Sequence, residues 1–245
     1  MNLFLIRARK VLHSLRSRPG RRALQLGVGP SVEHEEAFRG KRYATLVDLG
    51  ANKGQFALFA RGMFPGIRIE SFEPIPACCS VYLEIFDGDS GARIHQTAIG
   101  PQNSKSSMFI TVQNDSSSLL QPGEMQRAIF QTHVAEKQEI TISTLERVLT
   151  PQEITRPALL KIDVQGYELE ALKGCQSMLS LFDDAYVEAS FVELYKGQAL
   201  VPAIIDFFFH QGFHLRGVFN QHVDRKRGPV QADFLFSRIG ETKVD

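Results

Sequence analysis

The residues best placed to do chemistry are Asp48, Gly50, Asn52 and Gly54 in residues 45–54, TLVDLGANKG, together with Glu73 and Asp163 further on. A short apolar run stops at an acid and opens into a glycine-bearing turn, after which residues 55–60, QFALFA, begin an apolar-periodic helix. Glycine permits the tight turn and keeps Cβ atoms out of a ligand's way. The helix start presents free N–H groups and a positive dipole end. This layout predicts a nucleotide-like cofactor at the first strand-to-helix turn of an α/β sheet. Residues 67–72, IRIESF, read as the next strand, and Glu73-Pro74 ends it. A carboxylate there, about twenty residues past the turn, can accept from both hydroxyls of a ribose. A third strand-and-turn follows at residues 158–168, where ALLKIDV leads into Gln165-Gly166 and a helix closed by Gly174.

Spacing separates the cofactor classes. A dinucleotide fingerprint needs G-x-G-x-x-G, but Asn52 stands at the middle glycine, and no G-x-x-x-x-G-K-[ST] phosphate loop is present. Asp48-x-Gly50-x-x-x-Gly54 instead resembles the first motif of methyltransferases that use S-adenosylmethionine (SAM). LLKIDVQGYELEALKG resembles the LLKIDVEGxExxxLKG signature of the FkbM-type methyltransferases, and TLVDLGANKG and SFEPIP resemble that family's first motif and acidic loop. The resemblance spans about residues 44–238.

The resemblance implies an α/β, Rossmann-like class I methyltransferase fold. It would have a seven-stranded, mostly parallel sheet, helices on both faces, a last strand running antiparallel and an inserted β-hairpin lid. It implies SAM as methyl donor, S-adenosylhomocysteine as product and no required metal. Cofactor contacts would fall at Asp48, Gly50, Ala51, Asn52, Gly54, Glu73, Pro74, Ala98 and Asp163. Residues 93–99, RIHQTAI, read as the third strand. SAM enzymes often carry an adenine-binding acid at its end, but here Thr97-Ala98 stands there, so backbone groups would serve. One departure is Gln165, where the family usually has Glu. Gln hydrogen-bonds but takes up no proton and holds a metal poorly, which argues against a base or a metal at that position.

FkbM-type enzymes methylate hydroxyls of macrolides and of sugars in bacterial surface or secreted glycolipids, including the 2-hydroxyl of a fucose on nodulation lipo-oligosaccharides. The resemblance therefore implies O-methylation of a sugar hydroxyl, with a polyketide or other small metabolite, or a non-catalytic SAM-binding module, as alternatives. A tight apolar lid would favour the metabolite. An open cleft with Asn, Asp, Gln and aromatic groups would favour a glycan. A hydroxyl is a very weak acid, so a base that takes its proton helps by about 10²–10⁴-fold. The candidates are Asp163, Glu168, Glu188 and Glu193, with His133, His210 and His214 behind them, since a lone histidine is more often structural. Asp163 and Glu168 are expected to border the reacting centre. Asp163 has a second reading as partner of the SAM amino group or of the substrate.

The remaining pattern supplies the scaffold. Residues 107–112 and 139–143 alternate as an added antiparallel pair, with a polar loop from Asn114 to Ser118 and a helix near 125–134. This insertion, about 103–145, reads as a substrate lid or as a solvated turn. Residues 185–191 read as a strand and 201–210 as a helix. Residues 213–219 and 232–237 read as two final strands, joined by a loop at 220–228. Phe207, Phe208 and Phe209 read as core.

With 245 residues a single large α/β domain is expected, and a formal net charge of +1 gives no steering toward nucleic acid. No Asn-Pro-Pro-Tyr-type base-methylation motif follows the fourth strand. Cys78, Cys79 and Cys175 form no disulfide or zinc pattern, which suggests a reducing cytoplasm. No run is long enough to span a membrane. Residues 1–26 carry Arg7, Arg9, Lys10, Arg16, Arg18, Arg21 and Arg22 with no acid, beside Leu3, Phe4, Leu5, Val11, Leu12 and Leu15. That segment, set apart as residues 1–40 from a catalytic domain at 41–245, reads as a basic amphipathic helix. It would lie on the inner membrane face or pack against the domain. Its apolar stretch is too short for a signal peptide.

Overall fold

The computed structural model describes residues 3–112 and 116–238. Two helices, α1 (Leu3–Leu15) and α2 (Arg18–Gln25), and a 3-10 segment at Val32–Phe38 precede the sheet. Then come β1 (Thr45–Leu49), α3 (Gln55–Met63), β2 (Arg68–Phe72), α4 (Pro76–Ile85) and β3 (Ala92–His95). The insertion holds β4 (Ala98–Ile99), β5 (Ser104–Thr111), α5 (Glu124–Phe130) and β6 (Val134–Ser143). After α6 (Leu145–Val148) the main sheet resumes with β7 (Ala158–Ile162), α7 (Glu168–Cys175), β8 (Asp184–Ser190) and α8 (Val201–His210). A hairpin of β9 (Phe213–Asp224) and β10 (Gly228–Arg238) ends it.

The seven-stranded sheet has the order β3-β2-β1-β7-β8-β10-β9. All neighbours are parallel except β10, which is antiparallel to β8 and β9. β1 and β7 are buried along their whole length, as a parallel strand covered on both faces requires. Their side chains alternate between two cores. Leu46 and Leu159 pack with Phe56, Phe59 and Tyr186 on one face, while Val47 and Leu160 pack with Leu172 and Phe208 on the other.

Several boundaries depart from the sequence expectations for identifiable reasons. The run 93–99 is not one strand. β3 ends at His95, the Thr97 N–H donates to the His95 carbonyl at 2.8 Å, and Ala98 and Ile99 join β6 in a second, three-stranded sheet. The pair β5 and β6 is antiparallel as expected. In the loop before α5, Asn114 and Asp115 lie outside the described residues. Ser117 and Ser118 are buried rather than solvated, and the Ser118 hydroxyl donates to the Gln165 carbonyl at 2.6 Å. The expected loop at 220–228 is mostly strand, because the Asp224 carboxylate accepts from the Lys226 and Arg227 N–H groups and closes a short turn. Phe208 stacks on Phe236 in the core, but Phe209 is 65% exposed.

The expected division at residue 40 is not a structural boundary, since Ala23, Val28, Ala37 and Phe38 share one core with α3 and β1. α1 and α2 pack on the domain. Nε2 of His13 lies 3.1 Å from the Phe59 carbonyl, Lys10 pairs with Glu33, Arg9 with Glu35, and Arg22 with Asp87.

Gly50 sits where β1 gives way to the turn, at φ +81°, and an added Cβ would lie 1.9 Å from the Asp163 carbonyl. Substitution Gly50→Ala combines a left-handed backbone with a backbone clash. It is expected to cost at least about 3 kcal/mol in urea unfolding.

Candidate active site

A cavity of about 470 Å³ opens at the carboxyl ends of β1, β2 and β7, the crevice where strand order turns outward in both directions from β1. One half is lined by Gly50, Ala51, Asn52, Glu73, Pro74 and Ala98, with Met108, Ser117 and Leu119 contributed by the insertion. Asn52 takes a left-handed conformation at φ +48°, which small polar residues tolerate, and its buried Oδ1 has no hydrogen-bond partner. Glu73 closes this half. Its Oε2 accepts from the Asn52 N–H at 2.9 Å and its Oε1 from the Ile75 N–H at 2.8 Å. Burial pushes the Glu73 carboxyl up to about 7, against the pull of those two N–H groups.

Two residues expected at the cofactor lie outside the wall. Gly54 packs inward, where an added Cβ would meet the Tyr82 and Phe86 rings at 2.9 Å. Its glycine serves the seating of α3 on α4, and the same holds for Gly50 against the Asp163 carbonyl. Neither position is left bare for a ligand. Asp48 is fully buried beneath the wall, with neither carboxylate oxygen hydrogen-bonded and Lys161 Nζ at 3.6 Å. Burial raises its carboxyl, and Lys161 opposes that.

The other half of the cavity gathers charge. Lys161 lines it and is also 3.4 Å from Asp163. Burial would strip the proton from Lys161, but Asp163, Asp48, Glu188 and Asp233 together outweigh burial and hold it above the ordinary lysine range. Gln165 bridges two acids, its Nε2 donating to Asp163 Oδ1 at 2.7 Å and to Glu188 Oε2 at 3.1 Å. Its Oε1 accepts from the Tyr195 hydroxyl at 2.8 Å. Burial, Asp163 and Asp233 raise Glu188 well above the usual carboxylate range. Asp233 faces burial too, yet His34, Asn220 and Tyr186 hold it below. Its Oδ2 accepts from Asn220 Nδ2 at 2.8 Å and lies 3.2 Å from Nδ1 of His34.

The structure therefore brings Asp163 and Glu188 into the cavity but not Glu168. The Glu168 Oε1 accepts from the Gly166 N–H at 2.8 Å and the Val164 N–H at 3.3 Å, so this acid holds the turn that presents Asp163. Burial pushes it up to about 7. Glu193, His133, His210 and His214 do not border the cavity. Glu193 accepts from the Gly197 N–H, and His210 bonds the Asp206 carbonyl of its own helix. Lys10, His34, Lys161, Asn220 and Asp233 were not singled out by sequence. They come from α1, the 3-10 segment, β7, β9 and β10; Lys161 lies within the LLKIDVQG motif, and no local motif marks the other four. Among the described residues, no group of three or more His, Cys, Asp or Glu side chains is placed to hold a metal ion.

This sheet, with its one antiparallel strand and its cavity at the switch point, has the topology of the class I methyltransferase fold. Residues 48–215 match the Methyltransferase FkbM domain, and the chain belongs to that family. "Methyltransferase 1" of Beauveria bassiana is 27% identical over 177 residues, covering 63% of this chain and 71% of that one. "Methyltransferase sdnD" of Sordaria araneosa is 29% identical over 154 residues, covering 53% and 59%. Both relatives are fungal, whereas the sequence reading pointed to bacterial glycolipids. Solved structures that align with the chain include magnesium protoporphyrin IX methyltransferase from Synechocystis PCC 6803 with bound SAM. That alignment has TM-score 0.44 and 10% identity, over 79% of this chain and 69% of that one. Precorrin-6y C5,15-methyltransferase from Geobacter metallireducens aligns with TM-score 0.45 and 9% identity, over 82% and 83%.

Substitution Gln165→Glu exchanges the bridging donor for a third acid beside Asp163 and Glu188. Its carboxyl would be raised in the folded state, so the penalty is full above that raised value and fades as pH falls toward the ordinary carboxylate range. The variant is expected to lose about 1–3 kcal/mol in urea unfolding at pH 8, and less at pH 5.

Proposed function

We propose that the protein is a SAM-dependent O-methyltransferase whose acceptor is a sugar hydroxyl. The first cavity half fits that cofactor in its donor set. Asn52 Oδ1 is buried and lacks a donor, and SAM carries an ammonium that lacks an acceptor. Each Glu73 oxygen holds one backbone N–H and keeps lone pairs for a ribose diol. When bound, SAM supplies an activated methyl group on a sulfonium. The chain's own work is to orient the acceptor, exclude water and receive a proton.

The observation that carries the acceptor class is the polar array facing the second half: His34, Asp163, Gln165, Glu188, Asn220 and Asp233 beside the Phe56 ring. These groups already bond one another but keep spare lone pairs that a polyol can use, while a largely apolar metabolite would take water from them and return no hydrogen bond. Within this array the proton goes to His34. Its Nδ1, 3.2 Å from Asp233 Oδ2, donates to that carboxylate, which Asn220 Nδ2 also bonds; Nε2 then carries the lone pair and has no partner among the described residues. Asp163 already faces Lys161 and Gln165 and serves to orient the acceptor or the cofactor amine. Glu188 is occupied as an acceptor, its Oε2 taking the Gln165 amide and its Oε1 the Gln231 amide, and serves to hold the array.

Calorimetric titration with S-adenosylhomocysteine is the first test, and micromolar binding is expected. Ionised Glu73 is the better partner for a diol, and burial keeps it protonated below about pH 7. Affinity should therefore rise between pH 6 and pH 8 by up to about tenfold, and Glu73→Gln should flatten that rise. No binding to folded protein at either pH would end the reading. With labelled SAM and a panel of sugars, His34→Asn is expected to keep ligand affinity within about twofold. It should lose about a hundredfold or more in turnover.

A further inference from the structure

The amino-terminal hairpin packs on the domain and still leaves an apolar stripe facing out. Ser14 and His13 turn inward. Ser14 is buried against Gly20, where an added Cβ would lie 2.2 Å from the Ser14 carbonyl. The hairpin is clamped at its far end as well, by Arg22 on the Asp87 carbonyl and carboxylate at 2.6 and 2.8 Å. On the opposite side of α1, Ala8, Val11, Leu12 and Leu15 follow the i, i+3, i+4, i+7 spacing of one helical face. Val11, Leu12 and Leu15 are 44%, 62% and 51% exposed. Scattered exposed leucines need no explanation, but a contiguous stripe on a clamped helix does.

The charge around the stripe says what covers it. Arg16, Arg18 and Arg21 are exposed, and none has a carboxylate partner among the described residues. Arg21 Nη1 donates to the Leu15 carbonyl at 3.1 Å, which puts that guanidinium beside the stripe. The cations that do find acids, Arg9, Lys10 and Arg22, are those holding the hairpin to the domain. An apolar stripe on a hairpin that carries exposed arginines with no carboxylate partner, Arg21 among them beside Leu15, matches the acyl boundary and anionic headgroups of a lipid bilayer. Among the described residues no helix is long and apolar enough to cross a membrane, so contact through this face is peripheral. Lys10, on the same helix, lines the cavity.

We infer that the outer face of α1, with Arg16, Arg18 and Arg21, docks the protein on anionic membrane surfaces. The face meets the bilayer side-on, with the leucines at the headgroup–acyl boundary and the arginines among the phosphates. The test is co-sedimentation of the full chain with vesicles of pure phosphatidylcholine and of equal parts phosphatidylcholine and phosphatidylglycerol. Binding is expected to the second and not the first, and to weaken at least tenfold in 0.5 M salt. Leu12→Gln with Leu15→Gln, and separately Arg16→Gln with Arg18→Gln and Arg21→Gln, should each weaken it at least tenfold. Titration with S-adenosylhomocysteine should stay unchanged in both variants. No sedimentation with anionic vesicles, or sedimentation indifferent to both sets, overturns the inference. So does a concentration-dependent dimer that the Leu12 and Leu15 changes dissolve while the protein ignores vesicles, which would make the face an interface between copies. Failure to bind S-adenosylhomocysteine with vesicle binding intact would sink the proposed function and leave this inference standing.

Discussion

A lysine buried among carboxylates sets the terms for the rest of the site. Lys161 and Asp48 are register partners on adjacent parallel strands at the centre of the sheet. Asp48 has no hydrogen bond of its own, so the ammonium 3.6 Å away is its compensation. Removing Lys161 would leave Asp48 an uncompensated charge in a low-dielectric interior, a far larger cost than a lost surface ion pair. Asp163, Glu188 and Asp233 then crowd the same cation from the open side. Glu188 is raised by burial and the neighbouring acids, while Asp233 is lowered because His34, Asn220 and Tyr186 bond it.

The two cavity halves solve different problems with the same backbone device. At the end of β1, Asn52 turns left-handed at φ +48°, and at the end of β7, Gln165 does so at φ +53°, and both residues line the cavity. In the first half the amide oxygen is left without a partner. In the second the amide is consumed by Asp163, Glu188 and Tyr195. One turn is open for a ligand and the other is spent on holding acids apart. The Gln at position 165 is therefore better read as a spacer between carboxylates than as a weakened base.

How much of this the sequence disclosed follows from how local each feature is. The strand–turn–helix units at 45–54 and 158–168 were legible because acid, glycine and apolar run lie within ten or so residues, and a single turn fixes their geometry. Glu73 was legible as the end of the adjacent strand. The glycines were legible as residues but not in their role, since what each would collide with belongs to another element. Glu168 was misplaced for the same reason: a carboxylate just past a turn has the N–H groups of that turn within reach, and only coordinates show that it takes them. His34, Asn220 and Asp233 carry no motif and lie outside the matched residues 48–215. They meet only because β10 inserts between β8 and β9 and the 3-10 segment folds back over the sheet.

That meeting has a bearing on how the protein comes into being. The wall of the cavity draws on Lys10 and His34 from one end of the chain and on Asn220 and Asp233 from the other. During synthesis, the half lined by Gly50, Asn52 and Glu73, which we assign to the cofactor, has all its residues once β7 has been made, while the ribosome still holds the final hairpin. Until β10 slides between β8 and β9, Asp233 and Asn220 are absent from the wall and His34 Nδ1 has only the Tyr186 hydroxyl beside it. The second half of the pocket is thus the last part of the molecule to exist. A nascent chain can acquire the means to bind a methyl donor before it acquires the means to present it with anything.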